Sequence, residues 1–504
     1  MSSEFTGNTA IHRFARTFGR ALPWFALAGG VFLSAQVPGN PPSAAASGPT
    51  APVLPSAQSV SGATQQQGPS GSSNFQGSVP EGTALSQTID LSLDDAIQRG
   101  LHNNLGILLS GTQTASARGQ RLSQLQDLLP AVDAHIQESE MQTDLAAEGL
   151  RFPGFPTIVG PFGFTDIRAS LAWSAVNVKS LHSYLASKHD FRSSQLSAED
   201  ARQLVILTVG NAYLLVVADE TQVESVQAQV ATAKVSLDQA VASHEAGTAP
   251  LLDELRARVD YQSLEQQLIV AQNALEKDRL SLARTIGLPL DQKYNVVDRE
   301  PYRAFDQIDL SAALNQAQLN RKDLQALLEQ TKAAQEMRKA ATADRYPTLS
   351  INADYGDIGV NVGHSHGTVD ATGSVSVPVF KEYALRGEAE QAQAQLDTSQ
   401  AQLSDMKAQV DADVRDALLD IQSAQKQVEV ARSSVDLANE ALSEAQQRYA
   451  AGVSDNLEVS QAVQSVAQAN LQYVSSLYQH NIAKLSLARA LGAADNYKSY
   501  LGGK

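Results

Sequence analysis

Two pairs of residues recur with the same spacing in the first and second halves of the chain. The segments 93–130 and 310–347 each run from a leucine to a proline over 37 residues. The segments 247–287 and 452–492 each run from a glycine to a glycine over 40 residues. A sequence that repeats itself once, over roughly 200 residues, predicts one structural unit built twice. This pattern favours a pseudo-symmetric wall or tube over a single asymmetric catalytic cleft.

Composition excludes several kinds of chemistry. The sequence contains no cysteine, so disulfides, thiolate metal sites, cysteine catalysis and an acylated N-terminal cysteine are all ruled out. The formal net charge of −16 argues against nucleic acid as a partner, because phosphates are bound by Lys and Arg. Charged residues make up 18% and aromatic residues 6%, which favours long helices packed through small side chains.

The N-terminal region has two parts. Residues 1–35 place His12 and three arginines before a short apolar run that ends in Leu33-Ser34-Ala35, which is typical of a secretory signal peptide. An N-terminal membrane anchor is the alternative. Residues 36–88 are rich in Pro, Ser, Gly, Ala and Gln, and we expect them to be disordered because they cannot bury a core.

Two segments alternate apolar with small polar residues, at 131–177 and at 348–380. Each predicts a β-hairpin with strands of about ten residues, and the loop of the first is lengthened by RFPGFPTIVGPFGF at 151–164. After residue 35 no stretch reaches 18 uninterrupted apolar residues, so entry into a bilayer would require strands. One apolar and one polar face fit a membrane barrel. A soluble hairpin with one buried face has the same pattern.

A very long helix follows each hairpin, at about 179–246 and 383–450. The second carries apolar residues at alternating spacings of three and four over five heptads, from Val414 to Tyr449, which predicts a coiled coil. At 1.5 Å per residue, each helix is about 100 Å long. Returning helices are predicted near 250–286 and 455–491, after glycine turns. The helix of about 25 residues before each hairpin would stack end to end with the returning helix.

Two hairpins supply four strands, which is too few to close a barrel. Three chains would supply twelve strands and enough helical columns for a tube. The predicted fold is therefore mainly α with a membrane β-barrel: long antiparallel coiled-coil helices form an α-helical barrel below a trimeric 12-stranded β-barrel, and the chain is internally duplicated.

These features resemble the TolC-like outer-membrane efflux proteins. The resemblance covers about residues 88–495 and rests on the duplicated order of helix, hairpin, long helix, glycine turn and helix. Local matches are LSLDDAIQRGLHNNL at 91–105, LLPAVDAHI at 128–136, YPTLSINADYG at 346–356, VPVF at 377–380, RYAAGVSDNLEVSQAVQSVAQANLQYV at 448–474 and AKLSLARALG at 483–492. On this basis the first repeat spans 89–300, the second spans 301–495, and a C-terminal tail spans 496–504.

The resemblance implies a passive exit duct across the outer membrane and periplasm of a diderm bacterium. Such a duct would be a homotrimer in outer-membrane lipid, fed by an inner-membrane transporter through a periplasmic adaptor (membrane fusion protein), in efflux or secretion. The alternative is a secreted or periplasmic structural coiled-coil or adaptor protein without a pore. An enzyme is not expected, and neither is a cofactor.

The resemblance also implies a site at the glycine turns. Asp253 and Glu458 occupy equivalent positions after the two turns, where this family lines its periplasmic mouth, so threefold symmetry would give a ring of six carboxylates. Acids that interact with the dipole in the first turn of a helix explain the same residues. The predicted mouth contacts and adaptor-docking turns are Gly247, Thr248, Arg448, Tyr449, Gly452, Val453 and Asp455.

Few other residues suggest chemistry. His364 and His366 could chelate a metal from a loop, but a polar loop that faces solvent is the preferred explanation, and no metal site is predicted. The sequence has no phosphate-binding glycine loop and no strand-nucleophile-helix elbow.

Overall fold

The structure is a computed structural model that describes residues 75–501, apart from 85, 152, 299–301, 307 and 455. The predicted signal peptide at 1–35 and residues 36–74 of the predicted disordered segment lie outside the described residues.

The described chain is mainly helical, and two helices, a pair of strands, a long helix and a returning helix follow one another in each half. The first half contains β1 (Ile89–Leu91), α1 (Leu93–Asn103), α2 (Leu105–Gln126), β2 (Ala131–Asp144), β3 (Ile158–Val176), α3 (Val178–Glu245), α4 (Leu251–Ile286) and β4 (Tyr294–Val296). The second half contains α5 (Leu310–Asn320), α6 (Lys322–Ala343), β5 (Thr348–Gly359), β6 (Ser365–Ser376), α7 (Glu382–Ala450), α8 (Asn456–Ala490) and α9 (Tyr497–Leu501).

Local signals explain where the helices begin and end. Ser92 caps α1 by accepting a hydrogen bond from the backbone N–H of Asp95 at 3.1 Å, and Asp309 caps α5 by accepting from Ala312. The returning helix α4 ends at Gly287, whose φ of 76° lies in the left-handed region. A Cβ at that glycine would lie 2.5 Å from the side chain of Asn103, so only glycine fits there without displacing α1.

The predicted coiled-coil seams are confirmed. Along α7, the seam positions from Val414 to Ala431 are buried, and they pack on α8. Along α3, Val223, Val226 and Leu237 are buried as well. The helix α3 packs against α2 at its hairpin end and against α4 at its other end, as end-to-end stacking of α2 and α4 requires. The small seam residues let the helix axes approach closely.

The four long strands form one antiparallel sheet in the order β2-β3-β5-β6. Its apolar face carries aligned rows, such as Ala134, Ala169, Tyr355 and Val369 across the four strands. This face is not covered by any described element, because Ile136 is 77% exposed and Val369 is 76% exposed. The soluble alternative, in which the apolar face is buried within the chain, is therefore not what the described residues show.

The two strands of the first hairpin are longer, and its loop shorter, than the sequence predicted. Residues 158–164, expected to belong to the loop, extend β3, and Val159 pairs with Thr143. The reason is that β2 continues to Asp144 and offers backbone partners for the extra residues, which the weak alternation of this stretch did not reveal.

The segment before α1 also needs a correction. Residues 75–84 were expected to be disordered, yet Val79 donates its N–H to Asn103 and Glu81 donates to Gly287. The side chain of Phe75 packs against the main core, which gathers residues from α1, α3, α4 and α9. The predicted tail after 496 likewise contains α9, and Tyr497 is buried. Both ends pack where the two halves meet, so tertiary contacts override their loop-like composition.

Among the described residues, α3 is the one helix long and apolar enough to cross a membrane. Half of its most apolar window is buried inside the fold, which is usual for a core helix.

Candidate channel mouth and pore-facing strands

Two tight turns join the long helices to the returning helices, and both have the geometry that the sequence predicted. Gly247 and Gly452 have φ values of 73° and 70°, so each occupies the left-handed region that glycine adopts without strain. At the first turn, the backbone N–H and the hydroxyl of Thr248 both donate to the carbonyl of Ser243 at 2.9 Å. At the second turn, Val453 is 70% exposed.

The two acids predicted for the mouth have different surroundings. Asp253 is 6% exposed, and its carboxylate lies 3.7 Å from the guanidinium of Arg256 on the same helix. The side chain of Glu458 is 45% exposed, and its carboxylate lies 3.7 Å from the guanidinium of Arg448 on α7. Both acids stand in the first turn of their helices, where the helix dipole favours a negative charge. Within one chain the half-exposed Glu458 fits either role, whereas the burial of Asp253 fits the capping role better than a ring that faces the passage.

Tyr449 lies beside Asp253 at the turn. Its hydroxyl is buried and finds no hydrogen-bond partner among the residues that the structure describes. Burial, and then the carboxylate of Asp253, raise the pKa of the Tyr449 phenol. A buried hydroxyl without a hydrogen-bond partner lowers the stability of the folded chain. A rearrangement of the turn that gave the Tyr449 hydroxyl a partner would therefore be favoured. Asp455, also predicted as a mouth contact, lies outside the described residues.

A polar ladder that the sequence analysis missed links α4 to α8 behind the turns. The amide of Asn456 donates to the backbone carbonyl of Asp253 at 3.2 Å. Farther along, the hydroxyl of Ser460 donates to Asp260, and the amide of Gln464 approaches the same carboxylate at 3.5 Å. Asp260 lies seven residues after Asp253, which places both on one face of α4. That spacing was the available signal.

An apolar cluster accompanies this ladder. The buried cluster at this end of the helices includes Ala233 of α3, Leu264 of α4, and Val459 and Val463 of α8. The polar ladder is thus the hydrophilic part of the contact between the two coiled-coil pairs. The neighbouring surface of α4 is apolar and exposed, at Leu251, Leu252, Leu255 and Val259.

The polar face of the sheet concentrates acidic residues in one row. Strand register aligns Asp133, Ser170, Asp354 and Asp370 across the four strands. Arg168 stands one row nearer the loops, and its guanidinium pairs with Asp166 at 3.3 Å and with Asp354. One arginine therefore neutralises part of an acidic face, and ties the first hairpin to the second.

The histidines weighed as a metal pair do not gather other ligands. The Nδ1 atom of His364 lies 2.9 Å from the amide oxygen of Asn361, within its own loop. Among the described residues, no group of three or more His, Asp or Glu side chains is placed to hold a metal ion. The structure thus gives no reason to assign a metal to this loop.

Comparisons with known proteins agree on one family. The family model "Outer membrane efflux protein" matches residues 313–493. The "Toluene efflux pump outer membrane protein TtgC" of Pseudomonas putida is 24% identical over 423 residues, which cover 80% of this chain and 83% of that protein.

Solved structures share the fold. The CmeC outer membrane channel of Campylobacter jejuni has a TM-score of 0.72 at 18% identity, and the match covers 85% of this chain and 95% of that one. The outer membrane protein VceC of Vibrio cholerae has a TM-score of 0.68 at 18% identity, covering 79% and 96%. The chain therefore contains an outer membrane efflux protein domain at 313–493, and its described fold is that of these outer membrane channels.

Proposed function

We propose that this protein is the outer-membrane exit duct of an efflux or secretion system, a passive conduit and not an enzyme. It is an outer-membrane protein whose helical part extends into the periplasm. One observation carries the proposal: a four-stranded sheet exposes its apolar face, turns a polar face the other way, and leaves both edge strands open. Lipid against the apolar face and water against the polar face satisfy both surfaces.

Closure of the sheet requires further copies of the chain. The edge strands β2 and β6 run in opposite directions, so β6 of one copy can pair antiparallel with β2 of the next. Three copies give twelve strands and remove every open edge, which four strands cannot do alone. The helices below the sheet then continue the wall as an α-helical barrel.

The turns between the long and returning helices would form the periplasmic mouth. In a trimer, Asp253 and Glu458 would contribute six carboxylates to one narrow passage, which would attract cations and repel anions. The ladder from Asp260 to Ser460 and Gln464 would hold the two coiled-coil pairs together and keep the mouth narrow. If the two acids act only as helix caps, replacing them should lower helix stability without changing ion selectivity.

Exposed residues at the turn end of the helices support docking of the periplasmic adaptor that the family resemblance implies. Turns at Gly247 and Gly452 are small, and the nearby leucines of α4 are exposed, which suits packing of a periplasmic adaptor's helical tips. The adaptor would connect the duct to an inner-membrane transporter, which supplies the energy. The duct itself needs no cofactor.

Membrane fractionation with heat-modifiable electrophoresis tests this function. We expect the protein in the outer-membrane fraction, as an SDS-resistant oligomer of three chains that collapses to monomer on boiling. Purified protein in planar bilayers should then conduct ions. A water-soluble periplasmic protein that forms no pore would contradict the proposal and would favour the structural coiled-coil alternative.

A further inference from the structure

The seam between the two halves of one chain is built in a specific way. Strand β3 pairs with β5, and below the sheet α3 packs on α6. The ammonium of Lys179 lies 3.3 Å from the carboxylate of Asp344 where the strands join the helices. Farther from the sheet, Nδ1 of His182 lies 2.7 Å from the carboxylate of Glu336. This seam therefore shows how the second strand and long helix of one hairpin pack against the first strand and preceding helix of the next.

The corresponding elements stand at the two outer edges of the described sheet, with β2 and α2 at one edge and β6 and α7 at the other. Asp127 is the C-cap residue of α2, as Asp344 is the C-cap residue of α6. Tyr383 is the second residue of α7, as Lys179 is the second residue of α3. A second copy would bring these two edges together in the same arrangement, because β6 and β2 run antiparallel just as β3 and β5 do.

Exposed apolar residues lie on the same two edges. In the segment that joins β6 to α7 and in the first turn of α7, Val379 is 93% exposed, Phe380 is 90% exposed and Tyr383 is 86% exposed. At the opposite edge, Leu122 is 50% exposed and Leu129 is 49% exposed. Large side chains this exposed, on two surfaces of matching height, indicate a protein interface.

Strand register extends the correspondence to the segment after β6. Val176 and Phe380 each lie one residue before the N-cap of the long helix that follows, and Val176 pairs with Leu349. Leu349 lies two residues after Pro347, and Val132 lies two residues after Pro130. The counterpart of the pair Val176–Leu349 is therefore Phe380 with Val132 of another copy.

We propose that α7 of one copy packs on α2 of the next, so that segment 377–383 lies against residues 122–132 of that neighbour and the hydroxyl of Tyr383 donates a hydrogen bond to its Asp127. The inference rests on the proposed trimer and names the surface that holds it together. This hydrogen bond from Tyr383 to the Asp127 carboxylate replaces the ion pair of Lys179 and Asp344 found within the chain.

The seam between copies would be filled differently from the seam within the chain. The counterpart of Glu336 on α2 is Gly119, and the counterpart of His182 on α7 is Arg386, which pairs with Glu390 of its own helix. A Cβ built on Gly119 meets nothing within 4 Å in the single chain. Where the inner seam pairs a histidine with a glutamate, the outer seam would place a glycine opposite an arginine, and the glycine leaves room for that long side chain.

Cysteine cross-linking tests this arrangement directly, because the natural chain contains no cysteine. The double variant Asp127→Cys/Tyr383→Cys, treated in membranes with a short bis-maleimide, should give covalent dimers and trimers on denaturing gels. The control Lys179→Cys/Asp344→Cys should cross-link within one chain, so its mass should stay that of a monomer. Each single variant should give no covalent oligomer.

The outcomes separate this inference from the proposed function. A wild-type trimer whose 127/383 pair stays uncross-linked, while the thiol at 383 reacts with a maleimide-headgroup lipid in vesicles, would overturn the inference alone and assign the patch to lipid. A wild-type monomer would overturn the proposed function itself.

A glycine variant gives a second test. Glycine is among the poorest helix formers, so Gly119→Leu should favour α2 and the chain should still fold. In the seam its side chain would occupy the space that Arg386 of the neighbouring copy needs, so it should abolish the SDS-resistant trimer. The matched control is Gly373→Leu, which also adds a side chain in open space but on the apolar face of β6. Normal assembly of Gly119→Leu would contradict the proposed packing.

Discussion

The polar ladder at the mouth gives the sharpest prediction about opening. In Asp260→Ala the carboxylate that accepts from Ser460 and Gln464 is lost, while the apolar seams of both coiled coils stay intact. If this ladder holds α4 against α8, its removal should favour the open mouth. Conductance should rise without any change in the amount of folded trimer.

The expected size follows from the two contacts. A hydrogen bond to a charged acceptor contributes about 1.5–3 kcal/mol. The Gln464 contact is 3.5 Å long and adds little, and Asp260 is partly exposed, so the lower end of the range applies. A loss of about 1.5 kcal/mol per chain would raise the ratio of open to closed mouths roughly tenfold at each seam.

Single-channel recording in planar bilayers measures this effect as open probability and conductance. The control is Asp238→Ala, which removes a carboxylate near the same end of α3. Asp238 pairs with Lys234 of its own helix at 2.9 Å and makes no contact across the ladder. The control should therefore change local charge without loosening α4 from α8.

Two results would refute the reasoning. Wild-type open probability in Asp260→Ala would mean that the apolar seams alone hold the mouth. Equal opening in Asp238→Ala would mean that the loss of negative charge, and not the loss of a link between helices, drives the change.

Three further predictions concern selectivity, stability and pH. Asp253→Ala/Glu458→Ala should lower cation selectivity and the block by multivalent cations, measured from reversal potentials under a salt gradient; unchanged selectivity would leave both acids as helix caps. Arg321→Ala should destabilise the fold by about 3–5 kcal/mol in denaturant unfolding, because this buried guanidinium bridges Asp323 and Asp413 at 2.6 Å each; Arg202→Ala, which breaks an exposed pair, should cost under about 1 kcal/mol. Burial, and then the neighbouring Asp278, raise the pKa of Asp219 to about 7, so stability present in acid should be lost as pH rises through that value. Asp219→Asn should flatten this dependence in thermal unfolding, and an unchanged pH profile would contradict it.

The sequence by itself determined the elements and their order. Spacing of apolar residues at three and four set the seam of α7 from Val414 onward, because a helix that buries one stripe must repeat it at that period. The four turn and cap glycines followed from the need for left-handed backbone at abrupt helix ends. The alternation of apolar and polar residues located both hairpins, because successive side chains of a strand point to opposite faces of the sheet.

Only the tertiary structure decided which side chains meet. Asp253 and Glu458 are equivalent in sequence, yet one is buried behind the turn and the other is half-exposed beside Arg448. The contact of Asp260 with Ser460 joins residues 200 positions apart, and no local pattern encodes such a pair. Residues 75–84 looked unstructured because their composition cannot form a core, but they pack on a core that other segments build. Local periodicity reports which face of an element is buried, whereas the partner on that face depends on how the whole chain comes together.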